Sequence, residues 1–111
     1  MKRYERYTYV IYQVNADADF SFMGWEMANK HGWSFAEYHM VWNGIEDARD
    51  DYDLLNYLYG VFNLNHPKEF RGHSMSVGDI VRVWDGVNNV KYYYCDSFGW
   101  EDITDIIKKA A

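Results

Sequence analysis

Asp79-Ile80-Val81-Arg82-Val83-Trp84-Asp85-Gly86-Val87-Asn88-Asn89-Val90-Lys91-Tyr92-Tyr93-Tyr94-Cys95 holds two β-branched and aromatic runs on either side of a short polar segment. Asp-Gly and Asn-Asn tolerate the backbone angles of tight turns, so the stretch predicts a hairpin of two strands, 79–84 and 90–95. Strands joined this closely must run antiparallel, because a parallel crossover needs a dozen or more residues. This excludes a doubly wound parallel sheet and points to an α+β fold.

Upstream, Tyr7-Thr8-Tyr9-Val10-Ile11-Tyr12-Gln13 predicts a first strand. It is apolar on both faces and therefore expected inside the sheet. Phe22 to Lys30 reads as a short helix, with Ser21 as its N-cap and Gly32 just past its end. Tyr38 to Trp42 reads as a second strand, ended by the turn pair Asn43-Gly44. From Asp51 to Phe62, Leu54, Leu58 and Phe62 recur at i, i+4 and i+8, the spacing of one helix face. The acids at its start oppose the positive end of the helix dipole, and Asn63, Asn65 and Pro67 close it. Trp100 to Lys109 is left as either a terminal helix or an extended tail closing the sheet. The expected fold is a small, mostly antiparallel sheet whose C-terminal hairpin packs against one main helix and one short helix.

With 111 residues and no linker or repeat, one domain spanning 1–111 is expected. Apolar residues make up 49% of the chain and aromatics 20%, enough for a real core and too much for disorder. The net charge is −6, with acids clustered at Glu46, Asp47, Asp50, Asp51 and Asp53 and again at Glu101, Asp102 and Asp105. That balance disfavours binding along a phosphate backbone. The bases Lys2, Arg3, Arg6, Lys108 and Lys109 form a patch only if the termini meet, and are read as solubility features. Cys95 has no second cysteine to pair with, and Met1 to Glu5 lacks the look of a secretory leader, so a cytoplasmic location is expected. No apolar run approaches the roughly 20 residues of a membrane span, and none is expected.

Several constellations invite chemistry. His73, Ser74, Ser76 and Asp79 offer the residue types of a nucleophilic triad, and Asp96 is a second acid in reach of that reading. Neighbours in an extended chain point apart, however, and no nucleophile elbow is present. The simpler expectation is that the two serines bond to backbone while Gly72 and Gly78 supply unusual φ values at a strand entrance. Four histidines, His31, His39, His66 and His73, lack any metal-binding spacing, and no phosphate loop exists, so no cofactor or metal is expected. Tyr92 and Tyr94 share one face of their strand, with Arg82 or Trp84 opposite. That face could stack bases, but against the acid excess it is read first as packing against the helix 51–62 or docking a protein.

The run Phe62-Asn63-Leu64-Asn65-His66-Pro67-Lys68-Glu69-Phe70-Arg71-Gly72-His73-Ser74-Met75-Ser76-Val77-Gly78-Asp79, followed by Tyr93-Tyr94-Cys95-Asp96-Ser97-Phe98-Gly99-Trp100, resembles the YodL-like domain. The carrying pattern is FN-x-x-HP-x-x-F-x-GHS-[LM]-S-x-x-D with a hairpin ending YY-x-DS-x-GF. Tyr12-Gln13 and Phe22-Met23 also fit; Gly78 replaces a common serine and Trp100 a common phenylalanine. The resemblance implies a bacterial, phage or conjugative-element setting, often within large multi-domain proteins of element transfer. It supplies no catalytic residues. His66, Arg71, His73, Ser74, Ser76, Asp79 and Asp96 are the motif candidates, and Glu46, Asp47, Asp50, Asp51, Tyr92 and Tyr94 the candidate interaction surface.

Three functions are compatible with these residues. The first is a non-enzymatic accessory protein binding a protein partner through acidic and aromatic surface, including an anti-defence inhibitor that imitates DNA phosphates. The second is a hydrolase or nucleic-acid-processing enzyme using His73, Ser74 and Asp79 or Asp96. The third is single-strand binding by the tyrosine hairpin. An exposed aromatic strand edge would also allow a homodimer.

Overall fold

The computed structural model describes residues 4–110. Five strands form one antiparallel sheet in the order β2-β1-β3-β4-β5. The strands are β1 (Glu5–Val14), β2 (Tyr38–Ala48), β3 (Ile80–Trp84), β4 (Lys91–Cys95) and β5 (Trp100–Asp102), and the helices are α1 (Trp25–Lys30), α2 (Asp51–Leu64) and α3 (Thr104–Ala110). The α+β class and the C-terminal hairpin are as the sequence predicts. β1 lies inside the sheet, between β2 and β3, as its two apolar faces require.

Alternation along β1 divides the molecule into two cores. Tyr7, Tyr9 and Ile11 face α2, whose Leu54, Leu55, Leu58 and Phe62 are buried against them together with Val81, Val83 and Tyr93. Thr8, Val10, Tyr12 and Val14 point to the opposite face. There α1, a 3-10 turn at Phe35–Glu37, and α3 cover one end, burying Val14, Ile80, Tyr94, Ile103 and Ile107. Toward Thr8, Ile45 and Trp84 no element among the described residues covers this second face, leaving Ile45 62% and Trp84 41% exposed.

Three boundaries depart from the sequence reading. Asn43-Gly44 does not end β2, which runs on to Ala48. Gly44 sits opposite Tyr9, and a Cβ there would lie 2.7 Å from the Tyr9 hydroxyl. The glycine thus makes room for a tyrosine ring inside the sheet instead of turning the chain, and Glu46 and Asp47 become strand residues. The first helix starts only at Trp25, because Phe22 adopts φ 61°, and Ser21 is not its cap. Ser21 Oγ instead donates to the carbonyls of Asn15 and Ala18 and ties the preceding turn. The C-terminal segment is both of its alternatives in succession, a strand on β4 and then a helix.

α2 is clamped to the sheet at its start. The Asp50 side chain accepts from Asp53 N at 2.8 Å as an N-cap. The Asp51 carboxylate accepts from Tyr7 Oη at 3.0 Å and Tyr93 Oη at 2.6 Å, joining the helix to β1 and β4. Burial, then the neighbouring Asp51, raises both phenol pKa values. Asp51→Ala strands two largely buried hydroxyls and is expected to cost about 2–3 kcal/mol in urea unfolding. A loss under about 0.5 kcal/mol, the range of ordinary surface changes, would show that water replaces the carboxylate without penalty.

Candidate functional site

The motif candidates meet where β1 ends and β3 begins, around Gln13. This side chain is 1% exposed, at the end of the row Tyr7, Tyr9, Ile11. Its Nε2 donates to the His73 carbonyl oxygen at 2.8 Å and to Asp79 Oδ2 at 3.0 Å. Its Oε1 accepts from His73 N at 3.1 Å. Asp79 Oδ2 also accepts from Ser76 N at 2.9 Å, and Ser76 Oγ donates to the Ser74 carbonyl oxygen at 2.8 Å. One glutamine amide therefore pins the incoming segment 72–79 to β1 across 60 to 66 residues of sequence.

Asp79 is fully buried, and its Oδ1 has no hydrogen-bond partner. Burial pushes its pKa from 3.8 up to about 7, against the opposing pull of Ser76 N–H, Gln13 and His73. Gly78 has the expected positive φ, 102°. Gly72 does not, and its role is space: a Cβ would fall 2.5 Å from Gln13 Oε1 and 2.7 Å from the Phe70 ring.

The triad reading is not realised in this geometry. With its proton on Nδ1, His73 donates to the Ser74 carbonyl oxygen at 2.7 Å, and its ring packs on Phe22 at 5.5 Å. Among the described residues no serine hydroxyl bonds to a histidine ring. Asp96 lies elsewhere, accepting from Trp25 N at 3.1 Å, so it caps α1 from the β4–β5 turn. His66 rests on Phe70, and Arg71 donates to the Lys68 carbonyl. Cys95 is buried, and burial raises its thiol to about 12, far from a reactive thiolate. Among the described residues no three His, Cys, Asp or Glu side chains gather as a metal would require, and no helix is long and apolar enough to cross a membrane.

Of the expected interaction surface, Tyr94 must be corrected. It is 0% exposed, its ring packs edge-on against Trp25 at 5.1 Å, and its hydroxyl donates to the Met23 carbonyl. α1, more than 60 residues away in sequence, covers the face on which it stands, whereas α2, the helix expected there, packs on the other face with Tyr93. Tyr92 is half-buried against Phe35, and its cross-strand neighbour is Arg82, not Trp84. Asp47 pairs with Arg6 at 3.2 Å, while Asp50 and Asp51 hold α2; Glu46 is half-buried beside Tyr7 on β1. Lys2 and Arg3, from the terminal basic patch, lie outside the described residues.

The two motif segments therefore interlock through backbone as well: Cys95 N donates to the Asp79 carbonyl and Gly78 N to the Cys95 carbonyl, both at 2.8 Å. A family model for the YodL-like domain matches residues 8–106, nearly the whole chain. The chain belongs to the YodL-like domain family. No curated protein and no solved structure matched it. In this YodL-like domain the histidine-serine motif is the fastening of β3 to β1. The residue that organises it, Gln13, escaped the sequence reading of the site. Its sequence signals are its place in the family resemblance with Tyr12 and a polar side chain in register with the buried row of β1, where an amide needs a partner.

Proposed function

We propose that this YodL-like domain is a non-enzymatic protein-interaction module, working as an accessory protein of a mobile element or its bacterial host. The observation that carries the reading is the uncovered part of the sheet's second face, where Met40 and Ile45 of β2 and Trp84 of β3, on either side of β1, are 56%, 62% and 41% exposed. Exposed apolar side chains grouped on a rigid sheet are unusual on a surface that meets only water. Of the polar groups that suggested an enzyme, His73, Ser76 and Asp96 bond to backbone, which favours a fastening role over catalysis. A DNA-mimic surface draws less support, because Asp47, Asp50, Asp51 and Asp102 are engaged within the domain. Contact with an anti-defence target stays within the proposal through the sheet face.

The test is affinity capture from bacterial lysate with wild type and Ile45→Asp, whose folding is checked by circular dichroism. A partner retained by wild type and reduced at least about tenfold by Ile45→Asp is expected, the size of an interface hot spot. Identical retention by both, or a hydrolytic activity lost in His73→Ala, overturns the reading.

A further inference from the structure

The same uncovered face contains a cation without a counter-charge. Cross-strand pairing sets Arg82 of β3 beside Val10 of β1 on one side and Tyr92 of β4 on the other. Arg82 is half-buried, and its Nε is buried with no hydrogen-bond partner. No carboxylate among the described residues pairs with it, in a chain carrying 17 acids. On the same face, two rows further along β1 past Thr8, Arg6 does have its acid, Asp47 at 3.2 Å. A guanidinium N–H buried without an acceptor is costly, and a carboxylate is the group that fits a guanidinium best.

Its neighbours add an apolar frame. Ile45 and Trp84 flank Thr8 in one row, and Met40 stands beside Tyr12 at the other end. Trp84 is already oriented, because its indole N–H donates to the Asn88 carbonyl at 2.9 Å while its ring stays 41% exposed. An aromatic anchor with its polar handle satisfied loses little freedom on binding.

Resting on the interaction-module reading above, we infer that this face docks an apolar protein segment carrying one carboxylate, which meets Arg82 while its apolar side chains cover Met40, Ile45 and Trp84. A nucleic acid fits less well: one unpaired arginine on a chain of net charge −6 is poor footing for a run of phosphates. A second copy of the chain would bring a net charge of −6 against −6. A segment with a single carboxylate avoids both penalties.

The experiment pans a phage-displayed library of random dodecapeptides on the folded domain, then titrates the leading synthetic peptide. Enriched peptides should carry one Asp or Glu among apolar residues. Arg82→Gln should weaken the peptide at least tenfold, with Arg82→Lys intermediate and Ile45→Asp also weakened. Replacing the peptide's acid by its amide should weaken wild type by a similar factor and leave Arg82→Gln unchanged, as a direct pair requires. The Arg82 Nε–H signal in a nitrogen-15 NMR spectrum should shift on titration.

Peptides without a carboxylate, or binding indifferent to Arg82→Gln, overturn the inference and leave the broader reading standing. A library with no enriched peptide overturns both. Binding of a dodecathymidylate lost in Arg82→Gln overturns it in favour of nucleic acid, and self-association abolished by Ile45→Asp does so in favour of a second copy.

Discussion

Wild-type protein should lose stability as pH rises from about 4 to about 7, and Asp79→Asn should remove most of that loss. The Asp79 carboxyl titrates near 7 when folded against 3.8 as its usual value. Between those values the folded state holds a proton that the unfolded chain has released, so raising the pH favours unfolding. The stabilisation from this group is fully present below about pH 3.8 and is lost as pH climbs through 7. At about 1.4 kcal/mol per pH unit, a gap of this size corresponds to at most about 4 kcal/mol. Asparagine keeps an oxygen for Gln13 and Ser76 and carries no charge to bury. Its urea midpoint should therefore exceed wild type at pH 8 and approach or fall below it at pH 4.5. Parallel pH profiles for the two proteins would sink the assignment. Asp85 works in the opposite direction, since the N–H groups of Asn88 and Val87 hold its pKa down, but it is exposed to solvent and identical in both proteins.

Phe62→Ala is expected to cost about 4 kcal/mol, a large part of the 5–15 kcal/mol typical of a domain. Phe62 is 1% exposed, edge-on to Phe70 at 4.9 Å and tilted against Trp42 at 6.2 Å. It joins α2, the edge strand β2 and the segment that carries the histidine-serine motif. Truncation should thus loosen segment 66–79 as well as lower the unfolding midpoint. Faster amide exchange at His73 and Ser76 than the global destabilisation explains would report that local release. A cost near 1 kcal/mol with unchanged local exchange would mean that the ring trio is not what seats the motif.

Most of the elements were legible because their causes are local. The tight turn at Asp85-Gly86 compels an antiparallel hairpin, and Leu54, Leu58 and Phe62 recur at the pitch of one helix face. The motif around His73 identified the family for the same reason: it is contiguous. The failures are equally specific. Asn43-Gly44 has turn chemistry, yet the Tyr9 ring claims the space above Gly44 and β2 continues. Tyr92 and Tyr94 share a face by strand periodicity, but periodicity does not say whether α1 and the 3-10 turn cover that face. Asp96 looked like a second acid for the motif and is the cap of a helix 71 residues away.

The sequence by itself determined the fold class, the hairpin, the main helix and the family, since turn chemistry, side-chain period and a contiguous motif act over a few residues. Only the tertiary structure decided what the motif does and which surface is open. Gln13 reaches His73 and Asp79 across 60 and 66 residues, Asp51 gathers Tyr7 and Tyr93, and the covering helices leave Ile45 and Trp84 exposed. Hydrogen bonding and burial depend on which distant groups the closed chain brings within about 3 Å of one another, and no local pattern carries that information.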